Sequence, residues 1–314
     1  MAQPTIIALE PREERTANAV ELHGIRKAYD HFVAVDGLSI SIREGSVYGL
    51  LGPNGAGKTS TIRMMIGITL PDEGEVCVFG EPFHRGLLRR IGYMPEERGL
   101  YKRMKVLDHL VLLGRLHDLP EEEARKRSLE WCERLQISEW VHKKVEELSK
   151  GMQQKVQFIA TLLHGPDLII MDEPFSGLDP ANAVMLKDVL IDLKKSGKTI
   201  LFSTHGMDQA ERLCDAICLI DHGRVVLQGD LKKIKASYGK NHVQIECEGD
   251  PQLESSELVQ AVNNYGNYVE AHLKPGADPQ DLLRLAAERV RISRFELLEP
   301  SLEEIFIDQV GKRA

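Results

Sequence analysis

Residues 148–155 read LSKGMQQK, and residues 168–173 read LIIMDE. The first segment is typical of a helix start with a serine cap, with the helix predicted over residues 152–163, and the second is typical of an apolar strand that ends in two acidic residues. Residues 52–59 read GPNGAGKT, which matches the phosphate-loop pattern G-x4-G-K-[ST]. A phosphate loop alone fits several classes of NTPase. A Ser-x-Gly helix start just ahead of a strand that ends in acidic residues is the pattern of only one of these NTPase classes.

The phosphate loop lies in the local context that its chemistry requires. Residues 47–51 are predicted to form a short apolar strand that runs into the loop, and residues 59–66 a helix that leaves it. The glycines let backbone N–H groups turn inward around a phosphate, aided by the N-terminus of the helix. In this pattern Lys58 reaches the phosphate oxygens, and the Thr59 hydroxyl binds Mg²⁺. A chance glycine turn would lack this arrangement.

Asp172 and Glu173 end the apolar strand beside the predicted phosphate site. The Asp172 carboxylate is placed to hold Mg²⁺ through water, and Glu173, one residue further, is placed to polarise the attacking water. Alone, such a pair is usually a strand end that meets solvent. Here the pair is followed by PFSGLD at residues 174–179, and that context favours the catalytic interpretation.

Taken together, these segments resemble the ABC ATPases over about residues 20–235. Residues 148–155 resemble the signature segment, residues 168–173 the Walker B segment, and residues 174–179 the D-loop, which places Asp179 in the D-loop. The resemblance implies an α/β fold: a P-loop NTPase nucleotide-binding domain with a RecA-like core, an antiparallel β subdomain and a helical subdomain. A small α+β C-terminal domain follows.

The signature segment is expected to act on a second subunit. In ABC ATPases it contacts the γ-phosphate of the ATP that the opposite subunit holds, so each site is composite. The residues that carry this role by resemblance are Ser149, Lys150, Gly151 and Met152. The usual pattern has glycine where Lys150 stands and glutamine where Met152 stands, while Ser149 and Gly151 match it.

Three single residues take roles by the same resemblance. His205 follows an apolar strand, 32 residues after Glu173, and resembles the switch histidine that contacts the γ-phosphate and positions water. Tyr29 resembles the aromatic residue that stacks on adenine, with an ordinary surface or core tyrosine as the alternative. Glu96 occupies the Q-loop position, where glutamine is usual, and its carboxylate can still coordinate Mg²⁺ or water.

The predicted cofactors are therefore ATP and Mg²⁺. The predicted catalytic residues are Glu173 and His205, and the predicted metal ligands are Thr59, Asp172 and Glu96. The residues predicted to bind ATP within one chain are Tyr29, Gly52, Pro53, Asn54, Gly55, Ala56, Gly57, Lys58, Thr59 and Ser60.

The chain is predicted to have three parts: a flexible N-terminal tail at 1–18, the ATPase domain at 19–235 with its helical subdomain at about 98–165, and the small α+β domain at 236–314. The last part ends in PSLEEIF and resembles the C-terminal extension of ATPase subunits from bacterial and archaeal ABC-2-type exporters, such as the sodium and drug exporters. FGEP at 79–82, EERGLY at 96–101 and the Lys150/Met152 variant fit the same subgroup.

Charge and hydropathy limit the partners. The net charge is −8, and residues 240–314 hold 8 basic against 14 acidic residues, which argues against nucleic acid as a partner. No run approaches the ~18 apolar residues that a membrane span needs.

The resemblance implies an ATP-hydrolysing subunit that energises export by a separate ABC-2-type membrane permease. A second ATPase subunit, in a homodimer, is expected. The protein is expected to lie at the cytoplasmic face of the cell membrane, held there by the permease.

A soluble ABC ATPase without a permease, acting on ribosomes or DNA, is the alternative function. Such proteins usually carry two ATPase domains in one chain or long coiled-coil insertions. This sequence has one phosphate loop, no heptad insertion and an acidic C-terminal region, and each observation disfavours the alternative. A GTPase is disfavoured because the sequence has no Asn-Lys-x-Asp motif.

Overall fold

The computed structural model describes residues 17–97, 99–239, 242–274 and 276–311, with side chains to residue 309. The predicted N-terminal tail, residues 1–18, lies outside the described residues except for Ala17 and Asn18. Among the described residues, no helix has both the length and the apolar character needed to cross a membrane.

The described residues form three β-sheets and a set of surrounding helices. In chain order the strands are β1 (Asn18–Tyr29), β2 (Phe32–Arg43), β3 (Val47–Leu51), β4 (Glu73–Val78), β5 (Glu81–Pro82), β6 (Ile91–Met94), β7 (Leu168–Asp172), β8 (Thr199–Thr204), β9 (Ala216–Asp221), β10 (Arg224–Asp230), β11 (His242–Glu248), β12 (Val259–Asn264), β13 (Val269–Leu273) and β14 (Arg291–Leu298). The α-helices are α1 (Lys58–Met65), α2 (Val106–Leu116), α3 (Glu121–Arg134), α4 (Lys150–Leu162), α5 (Pro180–Lys195), α6 (Met207–Leu213), α7 (Leu231–Tyr238), α8 (Pro279–Arg289) and α9 (Leu302–Gly311).

The central sheet has the strand order β10-β9-β3-β8-β7-β6. The pairs from β9 to β6 are parallel, and β10 joins the edge antiparallel to β9. Every residue of β3, β7 and β8 is buried, as expected for parallel strands that are covered on both faces. The carboxyl ends of β3, β8, β7 and β6 therefore lie side by side at one edge, where α/β sheets bind ligands.

The two faces of the central sheet join different cores. On β7, Ile169 and Met171 pack with the helices α2 to α5, whereas Leu168 and Ile170 pack with α1 and the antiparallel sheet, whose strand order is β2-β1-β4-β5. Because side chains alternate between the two faces along one strand, the central sheet packs against the helices α2 to α5 on one face and against α1 and the antiparallel sheet on the other. The predicted α/β class, with its helical and antiparallel β subdomains, is confirmed.

The last part of the chain forms its own antiparallel sheet, in the order β12-β13-β11-β14, with α8 on its apolar face. The final helix α9 packs elsewhere. Its residues Leu302 and Ile305 lie in a cluster with residues of α6, α7, β3 and β9. The C-terminal helix thus connects the small sheet to the larger core.

Helix α4 begins earlier than the sequence pattern indicates. The apolar periodicity suggests a start at Met152, but the helix begins at Lys150, with Ser149 as its N-cap. The Ser149 hydroxyl accepts a hydrogen bond from the Met152 N–H at 3.3 Å. The cap adds a first turn of polar residues that hydrophobic periodicity does not register.

Candidate functional site

A cavity of about 420 Å³ opens at the carboxyl edge of the central sheet. Its lining residues come from the phosphate loop, the ends of β6, β7 and β8, and the β1–β2 hairpin: Phe32, Ala34, Asn54, Gly55, Ala56, Gly57, Lys58, Thr59, Ser60, Glu96, Asp172, Glu173, Ser176 and His205. A larger cavity of about 770 Å³, beside Tyr48 and Asp215, contains none of the predicted site residues.

The phosphate loop holds a backbone conformation that requires glycine at specific positions. Gly57 has φ +104°, and a Cβ atom there would lie 2.3 Å from the Ala34 carbonyl oxygen. At Gly52 a Cβ atom would lie 2.2 Å from the Ile220 carbonyl oxygen. Because both contacts are with backbone, the loop accommodates no side chain at either position.

Lys58 opens helix α1 and turns back over the loop. Its Nζ donates to the carbonyl oxygens of Gly52, at 2.7 Å, and Pro53, at 3.1 Å. The residue is only 6% exposed. Its ammonium group is thereby held against the loop, where a phosphate would meet positive charge from the lysine and from the loop N–H groups.

Asp172, at the end of β7, is fixed by the neighbouring strand β8. The Ser203 hydroxyl donates a hydrogen bond to Asp172 Oδ1. Asp172 Oδ2 is buried and has no hydrogen-bond partner within the described part of the chain. A buried carboxylate oxygen without a donor is costly unless a cation or a water supplies its partner.

This orphaned oxygen is the structural observation that tests the fit of Mg²⁺. Asp172 lines the cavity together with Thr59 and Glu96. All three offer oxygen atoms, which are the ligands that Mg²⁺ prefers. The residues present therefore fit the metal that the phosphate-loop pattern implies.

Glu173 lies between two nitrogen-bearing side chains. Its Oε1 is 3.6 Å from Lys58 Nζ, and both of its carboxylate oxygens are 3.1 Å from His205 Nδ1. Its backbone has φ +51°, a region that residues other than glycine rarely adopt, and such strain concentrates at functional sites. The Glu173 side chain is 9% exposed, whereas 60% of the His205 side chain is open to solvent.

Ser203 is a site residue that the sequence analysis did not single out. Besides its bond to Asp172, its Oγ accepts the Glu173 N–H at 3.1 Å, and its carbonyl oxygen is 3.2 Å from the same N–H. One buried hydroxyl thus orients both acidic residues. The signal was present in the sequence, as a serine that directly follows the apolar residues 200–202 of strand β8.

Replacing Ser203 with alanine is expected to lower the ATPase rate about 10- to 100-fold and to raise the Mg²⁺ concentration needed for half-maximal activity. The change removes the group that orients Asp172 and Glu173 while leaving both carboxylates. Steady-state rates across a Mg²⁺ series measure the effect. Ser196→Ala, which removes an exposed hydroxyl bonded to the Leu193 carbonyl, is the matched control. An unchanged Mg²⁺ dependence in Ser203→Ala would contradict the positioning role.

Glu96 lies in the segment after β6 and lines the cavity, as expected of the Q-loop position. That segment is held by a residue of helix α4, because Gln157 Nε2 donates to the carbonyl oxygens of Pro95, at 2.6 Å, and Glu97, at 3.4 Å. On the same helix, Gln154 donates to the Pro174 carbonyl oxygen at 3.2 Å, next to Glu173. Two buried amides therefore tie α4 to both sides of the site.

The aromatic residue that reaches the cavity from the β1–β2 hairpin is Phe32. Tyr29, predicted to stack on adenine, pairs with Phe32 across this hairpin and is 42% exposed, but it does not line the cavity. Lys27 Nζ lies 5.7 Å from the centre of the Tyr29 ring. The adenine-stacking role of Tyr29 stays a prediction.

The predicted signature residues lie outside the cavity that the phosphate loop lines. Ser149 and Lys150 are exposed, and Gly151 and Met152 are partly exposed at the first turn of α4. Beside them, Asp179 caps helix α5, and its Oδ1 accepts the Asn182 N–H at 3.0 Å. This backbone hydrogen bond lowers the pKa of the Asp179 carboxyl. The chain thus has a solvent-accessible helix start that is not part of the cavity lined by its own phosphate loop.

The sequence matches two family models. Residues 35–176 match the family described as "ABC transporter", and residues 229–310 match the family described as "ATP-binding protein DrrA1-3-like, C-terminal domain". The first match includes the phosphate loop, the signature segment and both acidic residues. The second includes the small antiparallel sheet and all of α9 except its last residue.

The chain is similar to proteins of the same description over most of its length. It is 46% identical to an uncharacterized ABC transporter ATP-binding protein, YhaQ, of Bacillus subtilis, covering 91% of this chain and 97% of that protein. It is 36% identical to a Nod factor export ATP-binding protein I of Ralstonia nicotianae, covering 93% and 94%. A dimeric ATP-binding cassette in a post-hydrolysis state, bound to ADP and Pi, aligns with TM-score 0.63 and 25% identity over 68% of this chain and 98% of that one.

Proposed function

Since this chain belongs to the family of ABC transporter ATP-binding proteins, we propose that two copies close around two ATP molecules to drive a separate membrane permease. Each ATP would lie between the phosphate loop of one copy and Ser149 and Gly151 of the other. The observation that carries this proposal is the separation of the two half-sites within one chain. The phosphate-binding and acidic residues converge on one cavity, and the signature residues lie outside its lining and are exposed or partly exposed.

Within each site, the phosphate loop and Lys58 would bind the β- and γ-phosphates. Thr59, Asp172 and Glu96 would hold Mg²⁺, which neutralises the charge that develops on the phosphates. His205 would contact the γ-phosphate, and Tyr29 would stack on adenine. The loop N–H groups and the Lys58 ammonium suit the phosphates of a nucleoside triphosphate, and the oxygen ligands suit its metal.

Glu173 is the proposed acceptor of the proton from the attacking water. Its position between Lys58 and His205 orients its carboxylate, and the hydrogen bonds that its N–H donates to Ser203 hold its backbone. Lys58 Nζ lies 3.6 Å from this same carboxylate. A bound γ-phosphate would compete for the lysine and release the carboxylate to act on water.

The proposed partner is an ABC-2-type permease, and the proposed process is export. The C-terminal family match to DrrA-like proteins and the similarity to a Nod factor export protein support this direction. We assign residues 19–235 to the ATPase domain and residues 236–314 to the C-terminal domain. The protein would lie on the cytoplasmic face of the membrane, held there by the permease.

Co-purification from membranes tests this function. The tagged chain, extracted in mild detergent, is expected to carry one polytopic permease, and the reconstituted complex to hydrolyse ATP faster than the chain alone. Deletion of that permease should move the chain from the membrane fraction to the supernatant. Recovery with ribosomes or DNA, and none with membranes, would favour the ATPase that works without a permease.

A further inference from the structure

Two histidines and a glutamate converge in the C-terminal part of the chain, apart from the nucleotide cavity. His242 on β11 pairs in register with His272 on β13, so both side chains leave the same face of the sheet. Glu304 reaches them from the first turn of α9. Its Oε1 is 3.2 Å from His242 Nδ1 and 3.7 Å from His272 Nε2, and the three ligand atoms lie within 4.8 Å of one another.

The hydrogen bonding of this cluster is incomplete. His272 Nε2 is buried and has no hydrogen-bond partner among the described residues. The two imidazole rings stack with their centres 3.9 Å apart. Buried polar atoms in native proteins normally have a partner, so the unpartnered nitrogen beside a shared carboxylate oxygen calls for a further ligand.

The carboxylate is oriented in advance. Glu304 Oε2 accepts hydrogen bonds from the Ser301 N–H, at 2.8 Å, and from the Ser301 hydroxyl, at 2.9 Å. This capping arrangement occupies one oxygen and leaves Oε1 directed at the histidines. Hydrogen bonds that orient a ligating carboxylate are typical of metal sites.

We propose that His242, His272 and Glu304 bind one divalent transition-metal ion of the zinc class. Two imidazoles and a carboxylate, with a fourth position left for water, form a common zinc ligand set, whereas Mg²⁺ and Ca²⁺ prefer oxygen ligands. Bond lengths of about 2.0–2.2 Å in a tetrahedron separate neighbouring ligand atoms by about 3.3–3.6 Å. The two distances to Glu304 Oε1 bracket this range.

The metal would tie α9 to the C-terminal sheet, and α9 also contacts the ATPase core. The Leu302 N–H donates to Glu211 Oε2 on α6 at 3.1 Å, and Leu302 and Ile305 pack among residues of α6 and α7. Helix α6 begins just after His205. One ion would therefore fix the helix that joins the two parts of the chain.

Metal titration of the full-length, chelator-stripped protein tests the proposal. The wild type is expected to bind one Zn²⁺ tightly, and Co²⁺ in its place to give the visible absorption of tetrahedral cobalt. His272→Ala and His242→Ala should each weaken Zn²⁺ binding at least about 100-fold and abolish the cobalt band. Mg²⁺ should not displace the cobalt.

Two histidine variants are the matched controls. His222 is an exposed histidine that pairs with Asp221, and His205 belongs to the nucleotide site. His222→Ala and His205→Ala should keep the tight site, which locates it away from the nucleotide cavity. Equal Zn²⁺ affinity in all four variants, or loss only in His205→Ala, would overturn the proposal.

Thermal unfolding gives a second measurement that does not depend on a folded variant. Zn²⁺ should raise the Tm of the wild type by a few degrees, and a chelator should reverse the shift, since a ligand that binds only the folded state stabilises it. An unchanged Tm at saturating Zn²⁺ would overturn the proposal as well.

Discussion

Glu173→Gln is expected to lower ATP turnover by about 10²- to 10⁴-fold while ATP binding persists. The amide keeps the shape of the carboxylate and can still bond to His205, but it cannot accept the proton of the attacking water. Lys58, the phosphate loop and Asp172 are unchanged. The closed dimer should therefore form with ATP and fail to reopen. Single-turnover hydrolysis, and light scattering with and without ATP, measure these two effects.

Glu75→Gln, at an exposed position on β4, is the control for loss of a carboxylate elsewhere. It should hydrolyse ATP at the wild-type rate and show no trapped dimer. Rapid hydrolysis by Glu173→Gln would refute the role of Glu173 as proton acceptor. That result would not change the outcome expected of the co-purification with a membrane permease.

Gly151→Asp is expected to lower ATP turnover at least about 100-fold and to leave the ATP affinity of the isolated chain unchanged. The substitution places a negative charge at the helix start that, in the proposed dimer, the opposite copy would present to the γ-phosphate. Within one chain it is tolerated, because a Cβ atom at Gly151 would make only ordinary van der Waals contacts, with Asn182 Nδ2 at 3.6 Å and Leu178 Cδ2 at 3.9 Å. A loss of activity would therefore reflect a defect in the contact between the two copies, not a defect within one chain.

Lys58→Ala is the contrasting variant. Removing a charged hydrogen-bond donor to phosphate should weaken ATP binding by the isolated chain by about 1.5–3 kcal/mol, or about 10- to 100-fold.

Adding Gly151→Asp to Glu173→Gln should abolish the ATP-dependent dimer. A double variant that still dimerises with ATP would contradict the composite site, whatever the single variants show.

The departures from the usual signature pattern are compatible with the local structure. Lys150 occupies the first turn of α4 with its side chain exposed, and Met152 packs against the helical core. Neither prevents Ser149 from capping the helix. The cap and the glycine, which set the direction of the N–H groups, are the parts of the pattern that this chain retains.

Several elements could not be predicted from local pattern. Strand β12, with the sequence VQAVNN, has little apolar alternation and forms because it pairs with β13. The first turn of α4 is polar, so periodicity placed the helix start two residues late. In both cases tertiary or capping hydrogen bonds supply stabilisation that a hydrophobic pattern does not contain.

The sequence by itself determined the family, the α/β class and the identity of the phosphate-loop and acidic residues. Those features depend on short-range pattern: an apolar strand, a glycine loop and a helix start within a few residues of each other. Helix-start chemistry likewise predicts a capped helix at Ser149 and Gly151, whereas their role toward a second subunit is implied only by the family resemblance.

Only the tertiary structure decided which residues meet. The parallel order β3-β8-β7 brings Lys58, Glu173 and His205 together, and it makes Ser203 the support of both acidic residues. The pairing of β11 with β13 likewise brings His242 and His272 to Glu304. Strand order and register are long-range properties, set by how whole elements bury their faces, and no local stretch of sequence encodes them alone.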